Sequence, residues 1–339
     1  MQALVFESPM NPKLQDREVP ELRADEALIK IAYNSICGSD LSLFRGVWHG
    51  FNYPIVPGHE WSGQVVAVGD KNDHALVGKN VVGDLTCPCG ACAACERGDP
   101  VLCRDLQELG FSRDGACAEF MAIPVRNLHV LPSDLDLRIA CQVEPMSVAL
   151  HAVDAIGIEP GEKVAVLGAG GIGLMLMKAA RLRGAKVTLV SEPVAERRNL
   201  ASELGAAAVC AAGEGELAAL VQHRSELVPD VVMEASGYPV AVQEAMNIVR
   251  PGGRICLVGY RTEEVGLMSP HVATVKALSI RGVLGPGGRF QDAIEVLRHG
   301  KEDIDPLLTH EFSLGEFSHA LDIGLNRTQG NVRSMFCMQ

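Results

Sequence analysis

Val164-Ala-Val-Leu-Gly-Ala-Gly-Gly-Ile-Gly173 decides the fold of this 339-residue chain. A short apolar run enters Gly168-x-Gly170-x-x-Gly173, and a helical stretch over 172–183 follows. The pattern reads as strand, tight turn and helix. Gly168 permits the turn, Gly170 lets backbone approach a pyrophosphate, and Gly173 allows close helix–strand packing. Gly171 and Ile172 open the helix whose N-terminus faces the phosphate charge. The next strand ends at Val190-Ser-Glu192, nineteen residues after Gly173. A carboxylate there accepts from an adenosine ribose 2′-OH and repels a 2′-phosphate, which favours NAD over NADP. Arg197 and Arg198 follow one turn later; they either soften that preference or form a solvated helix face.

Outward from this segment the rhythm is strand, helix, strand. Candidate strands lie at 163–167, 186–190, 207–210, 230–234, 254–258 and 278–283, with helical stretches such as 172–183 and 194–204 between them. Alternating βα units predict a parallel, doubly wound sheet, here a dinucleotide-binding domain over 148–287. Before it, short β segments at 28–33, 63–68 and 80–82, punctuated by Gly and Pro, predict a β-rich, barrel-like domain over 1–147. After it come amphipathic helices at 290–297 and 314–325 around an extended piece at 307–312. They resume no βαβ rhythm, so 288–339 is expected to complete the first domain. The class is α/β, with the cofactor domain inserted and a cleft expected between the halves.

Composition narrows the chemistry. Thirty basic against 42 acidic residues leave a net charge of −12, which disfavours phosphate-backbone binding and hence nucleic acid as a partner. The longest apolar run, 164–177, contains four glycines and falls short of the ~20 residues of a membrane span. No basic segment precedes an apolar stretch at the N-terminus, so a cytoplasmic location is expected. Eleven cysteines in so long a chain point to metal rather than to a disulfide framework.

Cys89-x2-Cys92-x2-Cys95-x7-Cys103 offers four thiolates in one loop, matching a closed tetrahedral zinc that is structural. A zinc ribbon for nucleic acid is the competing reading, and the charge makes it remote. A second set comes from distant segments: Cys37 in Ile36-Cys-Gly-Ser-Asp40, His59 and Glu60 in Pro57-Gly-His-Glu-Trp61, and Glu144 in Gln142-Val-Glu-Pro145. Mixed Cys/His/carboxylate ligands can hold zinc and leave one place for substrate. Singly, each residue reads equally well as a buried small hydrophobe or a hydrogen-bonded structural group.

Gly58-His59-Glu60-x2-Gly63-x5-Gly69, Cys37, the four-cysteine lobe, Glu144-Pro145, the glycine turn and Arg250-Pro-Gly-Gly253 together resemble the zinc-containing medium-chain alcohol dehydrogenases along essentially the whole chain. Asn72 departs from the small or aliphatic residue at the end of that family's signature. The resemblance implies a GroES-like catalytic domain beside the Rossmann domain. It further implies two zinc ions per chain, a nicotinamide cofactor, and a homodimer or homotetramer assembled through the cofactor domains. It places Glu144 where the liver-type enzymes carry a Cys; sorbitol-type enzymes share the Glu.

Within the family, the strings 33–50, 83–90, 191–198 and 285–290 are similar to dehydrogenases of aminoglycoside antibiotic biosynthesis. Those enzymes oxidise an aminocyclitol on the route to 2-deoxystreptamine. Ser42 and Gly285 replace a His and a substrate-contacting Arg of the sorbitol type, which argues for a cyclic substrate. The alternatives are a sorbitol-, 2,3-butanediol- or threonine-type zinc dehydrogenase, or a nucleotide-binding regulator with a dead site.

In the implied reaction Ser39 accepts the alcohol proton and passes it on, with His49 or ordered water completing the relay. Glu60 and Glu144 alternate as zinc ligands. Trp48 and His49 either line the substrate or, for Trp48, anchor the loop.

Overall fold

Short β segments that alternate or run apolar must be buried on a sheet, and the computed structural model places them on two. It describes residues 1–47, 52–213, 215–260 and 268–338. By its internal contacts the chain divides into two units, Met1–Glu144 with Phe290–Gln339, and Pro145–Arg289.

The first unit opens with a hairpin of β1 (Gln2–Ser8) and β2 (Asn11–Asp16), then β3 (Glu26–Ser35) and β4 (Glu60–Val68). After these come β5 (Asn80–Gly83), the short pair β6 (Thr86–Cys87) and β7 (Gln107–Glu108), β8 (Phe120–Pro124) and β9 (Leu128–Val130). β3 and β4 run antiparallel, with Asn34 opposite Trp61 and Ser35 opposite Glu60. Partners across such a pair share a face, so this register decides which side chains meet below.

The second unit carries β10 (Lys163–Leu167), β11 (Lys186–Ser191), β12 (Val209–Cys210), β13 (Val231–Glu234), β14 (Arg254–Leu257) and β15 (Ser279–Gly282). Their order is β12-β11-β10-β13-β14-β15, parallel throughout. β10 and β11 are buried along nearly their whole length, as a sheet covered on both faces requires. β12 is shorter than the expected 207–210, pairing at just Val209 and Cys210. The turn into the helix Gly171–Leu182 is as tight as its glycines suggest. Gly168 has φ +99, and a Cβ on Gly173 would sit 1.8 Å from the Gly168 carbonyl oxygen.

The chain then returns to the first unit. The helix Phe290–His299 leads to β16 (Leu308–Ser313), the helix Phe317–Asn326 and a final strand, β17 (Arg333–Cys337). β17 was not expected from the sequence. It lies between β16 and β3, with Met335 opposite Ser35, in a sheet of order β16-β17-β3-β4-β5-β9 joined by β8 on β3. Its first four residues are all buried, so it lacks the alternation that marks a half-exposed strand.

Each unit has its own core. Phe6, Ile29, Ile31, Trp61, Val65 and Phe336 anchor the first, and Leu167, Leu189, Val232, Met246 and Ile255 the second. Each such side chain contributes about 1.5–3 kcal/mol by leaving water. Among the described residues, no helix is long and apolar enough to cross a membrane.

Candidate functional site

Cys37 follows β3 and precedes the helix Gly38–Arg45, in extended backbone that suits a residue at a helix start. Its N–H donates to Asp40 Oδ2 at 2.8 Å. Glu60 opens β4 and His59 immediately precedes it, after Gly58, whose φ of +99 an ordinary side chain rarely adopts. Cys37, His59 and Glu60 each offer a ligand atom, and these atoms lie within 4.8 Å of one another. Tetrahedral zinc holds such ligands about 3.5 Å apart, so the set closes on an ion with small adjustments. The site is buried: His59 is 4% and Glu60 1% exposed.

Asp40 and Arg333 complete the surroundings, and neither was expected. His59 Nδ1 lies 3.3 Å from Asp40 Oδ1, which leaves Nε2 for a metal, the usual second support of a ligating imidazole. Burial alone would lower the His59 pKa, but Asp40 and Cys37 hold it well above the ordinary value. Burial would likewise raise the Cys37 thiol; contacts with His59 and Ser39 bring it below its usual value. Arg333, on β17, pairs with Glu60 inside the protein. Asp40 sits in the Cys-Gly-Ser-Asp string and could have been read as a histidine partner. Arg333 gave no local signal.

The other expected residues distribute unevenly. Ser39 Oγ lies 3.3 Å from His59 Nε2, against the metal group. Glu144 is buried but stands outside the mutually close trio. Burial, opposed by His59 and reinforced by Cys37, Asp84 and Asp40, pushes its carboxyl up to about 8. His49 and Trp48 lie outside the described residues. Phe111 packs its ring 5.0 Å from that of His59.

Cys89, Cys92, Cys95 and Cys103 converge, their sulfurs also within 4.8 Å. Cys92 and Cys95 approach to 3.5 Å, and the Cys89 N–H points at Cys103 Sγ at 3.3 Å. Hydrogen bonds from the backbone of Cys95 and Arg104 draw the Cys92 thiol down to about 6, whereas burial and the Cys92 sulfur push Cys95 up to about 11. A set of four thiols sharing protons this closely suits a soft divalent ion.

On the second unit, a Cβ built on Gly170 would meet, among the described residues, just Arg197 Nη1 at 3.8 Å. The turn is thus open where a pyrophosphate would lie. Glu192 is 3% exposed; its carboxylate accepts from Ala169 N–H at 2.8 Å and Val194 N–H at 3.0 Å. Arg198 donates to the carbonyls of Glu192 and Pro193 and so braces the strand end.

Comparison with known proteins agrees. Residues 23–133 match the alcohol dehydrogenase GroES-like domain and residues 171–299 the zinc-binding dehydrogenase domain. The chain is 31% identical over 327 residues to L-threonine 3-dehydrogenase of Caldanaerobacter subterraneus, covering 93% of each chain. It is 32% identical over 332 residues to sorbitol dehydrogenase of Bacillus subtilis, covering 96% of this chain and 94% of that one. A zinc-binding dehydrogenase of Sinorhizobium meliloti bound to NADP matches with a TM-score of 0.92 at 31% identity, over 99% and 98% of the two chains. An Escherichia coli alcohol dehydrogenase complexed with NADH gives 0.92 at 27% identity, over 100% and 99%.

Proposed function

The chain belongs to the zinc-containing medium-chain alcohol dehydrogenases, and on that premise we propose that it oxidises a secondary alcohol whose neighbouring carbon carries a hydroxyl or amino group. The trio Cys37, His59 and Glu60, with Ser39 against it, carries this reading. Bound zinc supplies a Lewis acid that lowers the pKa of the alcohol hydroxyl, and the nicotinamide supplies the hydride acceptor.

The chain's own residues do the rest. Cys37, His59 and Glu60 hold the metal, and Glu144 is the carboxylate in reserve. Asp40 keeps the imidazole turned, and Arg333 balances the charge of Glu60. Ser39 accepts the alcohol proton at Oγ as its own hydroxyl proton passes to His49 or to water. Gly168, Gly170, Gly171, Ile172 and Gly173 cradle the pyrophosphate; Glu192 and Arg197 face the adenosine ribose and favour NAD while leaving NADP accessible. The structural zinc belongs to the four-cysteine lobe.

The threonine and sorbitol relatives, with a (2R,3R)-butanediol dehydrogenase of Bacillus subtilis that gives a TM-score of 0.90 at 25% identity, support an open-chain diol, polyol or amino alcohol over the aminocyclitol expected from the motif strings. The aminocyclitol 2-deoxy-scyllo-inosamine, oxidised to 3-amino-2,3-dideoxy-scyllo-inosose in antibiotic biosynthesis, remains the narrower reading, favoured by Ser42 and Gly285. A homodimer or homotetramer fits the edge position of β15, flanked by Val275 and Leu284, which are 69% and 60% exposed.

The test is zinc-loaded protein offered L-threonine, sorbitol, (2R,3R)-butanediol and 2-deoxy-scyllo-inosamine, each with NAD and NADP. Reduced nucleotide forms with at least one, at a kcat/KM above about 10⁴ M⁻¹s⁻¹ for the true substrate. No reduced nucleotide from any of them would return the chain to the dead-site regulator.

A further inference from the structure

Ser35, Glu60, Met335 and Arg333 lie on one face of the sheet. Ser35 is the register partner of Glu60 on one side and of Met335 on the other, and Arg333 is two residues from Met335 along β17. Against this face packs Gln142, which is completely buried. Its Nε2 donates to Ser35 Oγ at 2.7 Å and lies 3.1 Å from Cys141 Sγ, which turns Oε1 away from both. The Oε1 then finds no hydrogen-bond partner among the described residues. In the same buried layer Arg333 pairs through Nη2 with Glu60, while its Nε finds none either. One group is an acceptor and the other a donor. Leaving both unsatisfied would carry the full desolvation penalty of each group. Buried groups in this situation are met by a trapped water that bonds to both.

We infer that Gln142 is a positioning residue for Glu60: its Oε1, through one buried water, receives the Nε–H of Arg333 and holds the guanidinium in the orientation that pairs with Glu60. A guanidinium is planar, so fixing Nε fixes where Nη2 points. Arg333 thereby sets how far the Glu60 carboxylate is drawn from Cys37 and His59. This rests on the reading of Glu60 as a metal ligand, but the test does not depend on turnover.

The experiment replaces zinc in the catalytic site of the holoprotein with Co(II), whose visible bands follow ligand geometry. Gln142→Met keeps length and removes the acceptor; Gln142→Glu keeps acceptor oxygens. Ile123→Val, a small cavity elsewhere in the same core, controls for lost stability. The bands should shift in Gln142→Met and match wild type in Gln142→Glu and Ile123→Val. With the preferred substrate, kcat in Gln142→Met should fall about tenfold, the scale of a ligand-supporting contact, with KM little changed. Unshifted bands in Gln142→Met overturn the inference, as do equal shifts in both Gln142 variants or a shift in Ile123→Val. Absence of dehydrogenase activity in wild type would remove the catalytic reading alone, because the bands still report on Gln142.

Discussion

The four cysteines of the lobe come from one stretch of chain and stand on a scrap of core made by Cys92, Ala94 and Cys103 with Cys95 and Leu106 beside it. The trio Cys37, His59 and Glu60 comes from two segments, is buried by a seven-stranded sheet, and borrows Asp40 and Arg333 from neighbouring elements. The lobe therefore depends on its ion for shape, because little apolar surface is there to hold it. The trio depends on the fold and would keep its outline without an ion. A metal that folds a loop and a metal that works in a finished socket should respond differently to the same injury.

The largest expected difference is in catalysis. Cys37→Ala should lower kcat/KM at least ~10³-fold, since the Lewis acid supplies several kcal/mol of the barrier, with thermal unfolding little changed. Cys95→Ala should do the reverse: turnover largely retained, zinc content reduced from two to one per chain, and Tm lower by about 5–10 °C. Limited proteolysis should then cut between Cys89 and Cys103 in Cys95→Ala and not in Cys37→Ala. Identical behaviour of the two variants would break the contrast.

Next in size, Ser39→Ala should reduce kcat ~10²-fold as a proton-transfer group is lost, with both metals still bound by elemental analysis. Unchanged turnover with hydride transfer still limiting would sink the relay. The smallest effect is a local one. In freshly zinc-stripped protein, before the loop loses its shape, Cys92, drawn down to about 6, is the more acidic thiol and Cys95, pushed up to about 11, the less acidic one. Alkylation followed by mass spectrometry should find Cys92 modified first, its rate rising through pH 6 and flat above. Equal rates at both positions would show that the backbone donors around Cys92 are not preorganised.

Local features were legible in the sequence and long-range ones were not. The glycine turn, the six-strand alternation and the spaced cysteines each declare themselves within a few dozen residues, because turn geometry, strand period and ligand spacing are local constraints. Cys37, His59 and Glu60 could be nominated by type, but their meeting is a property of the β3–β4 register. β17 was missed since burial on both faces erases its alternation, and Arg333 and Gln142 went with it. An arginine near the end of a chain reads as solvated surface until a strand carries it inside. Glu144 shows the opposite limit: nominated by residue type with the other three, it is buried yet stands outside the close trio.

The Glu60–Arg333 pair also orders events in time. The two residues are 273 positions apart, so on the ribosome Glu60 emerges long before its counter-charge exists. Meanwhile Pro145–Arg289 is contiguous and has every residue of its parallel sheet available once it has been synthesised. The inserted unit can fold during translation, whereas the chemistry-bearing one must wait for β17 to dock. Low sequence separation speeds the first and high separation delays the second. The metal centre is thus among the last parts of the molecule to be finished, and a newly made chain passes through a stage that has its nucleotide fold but not its reactive site.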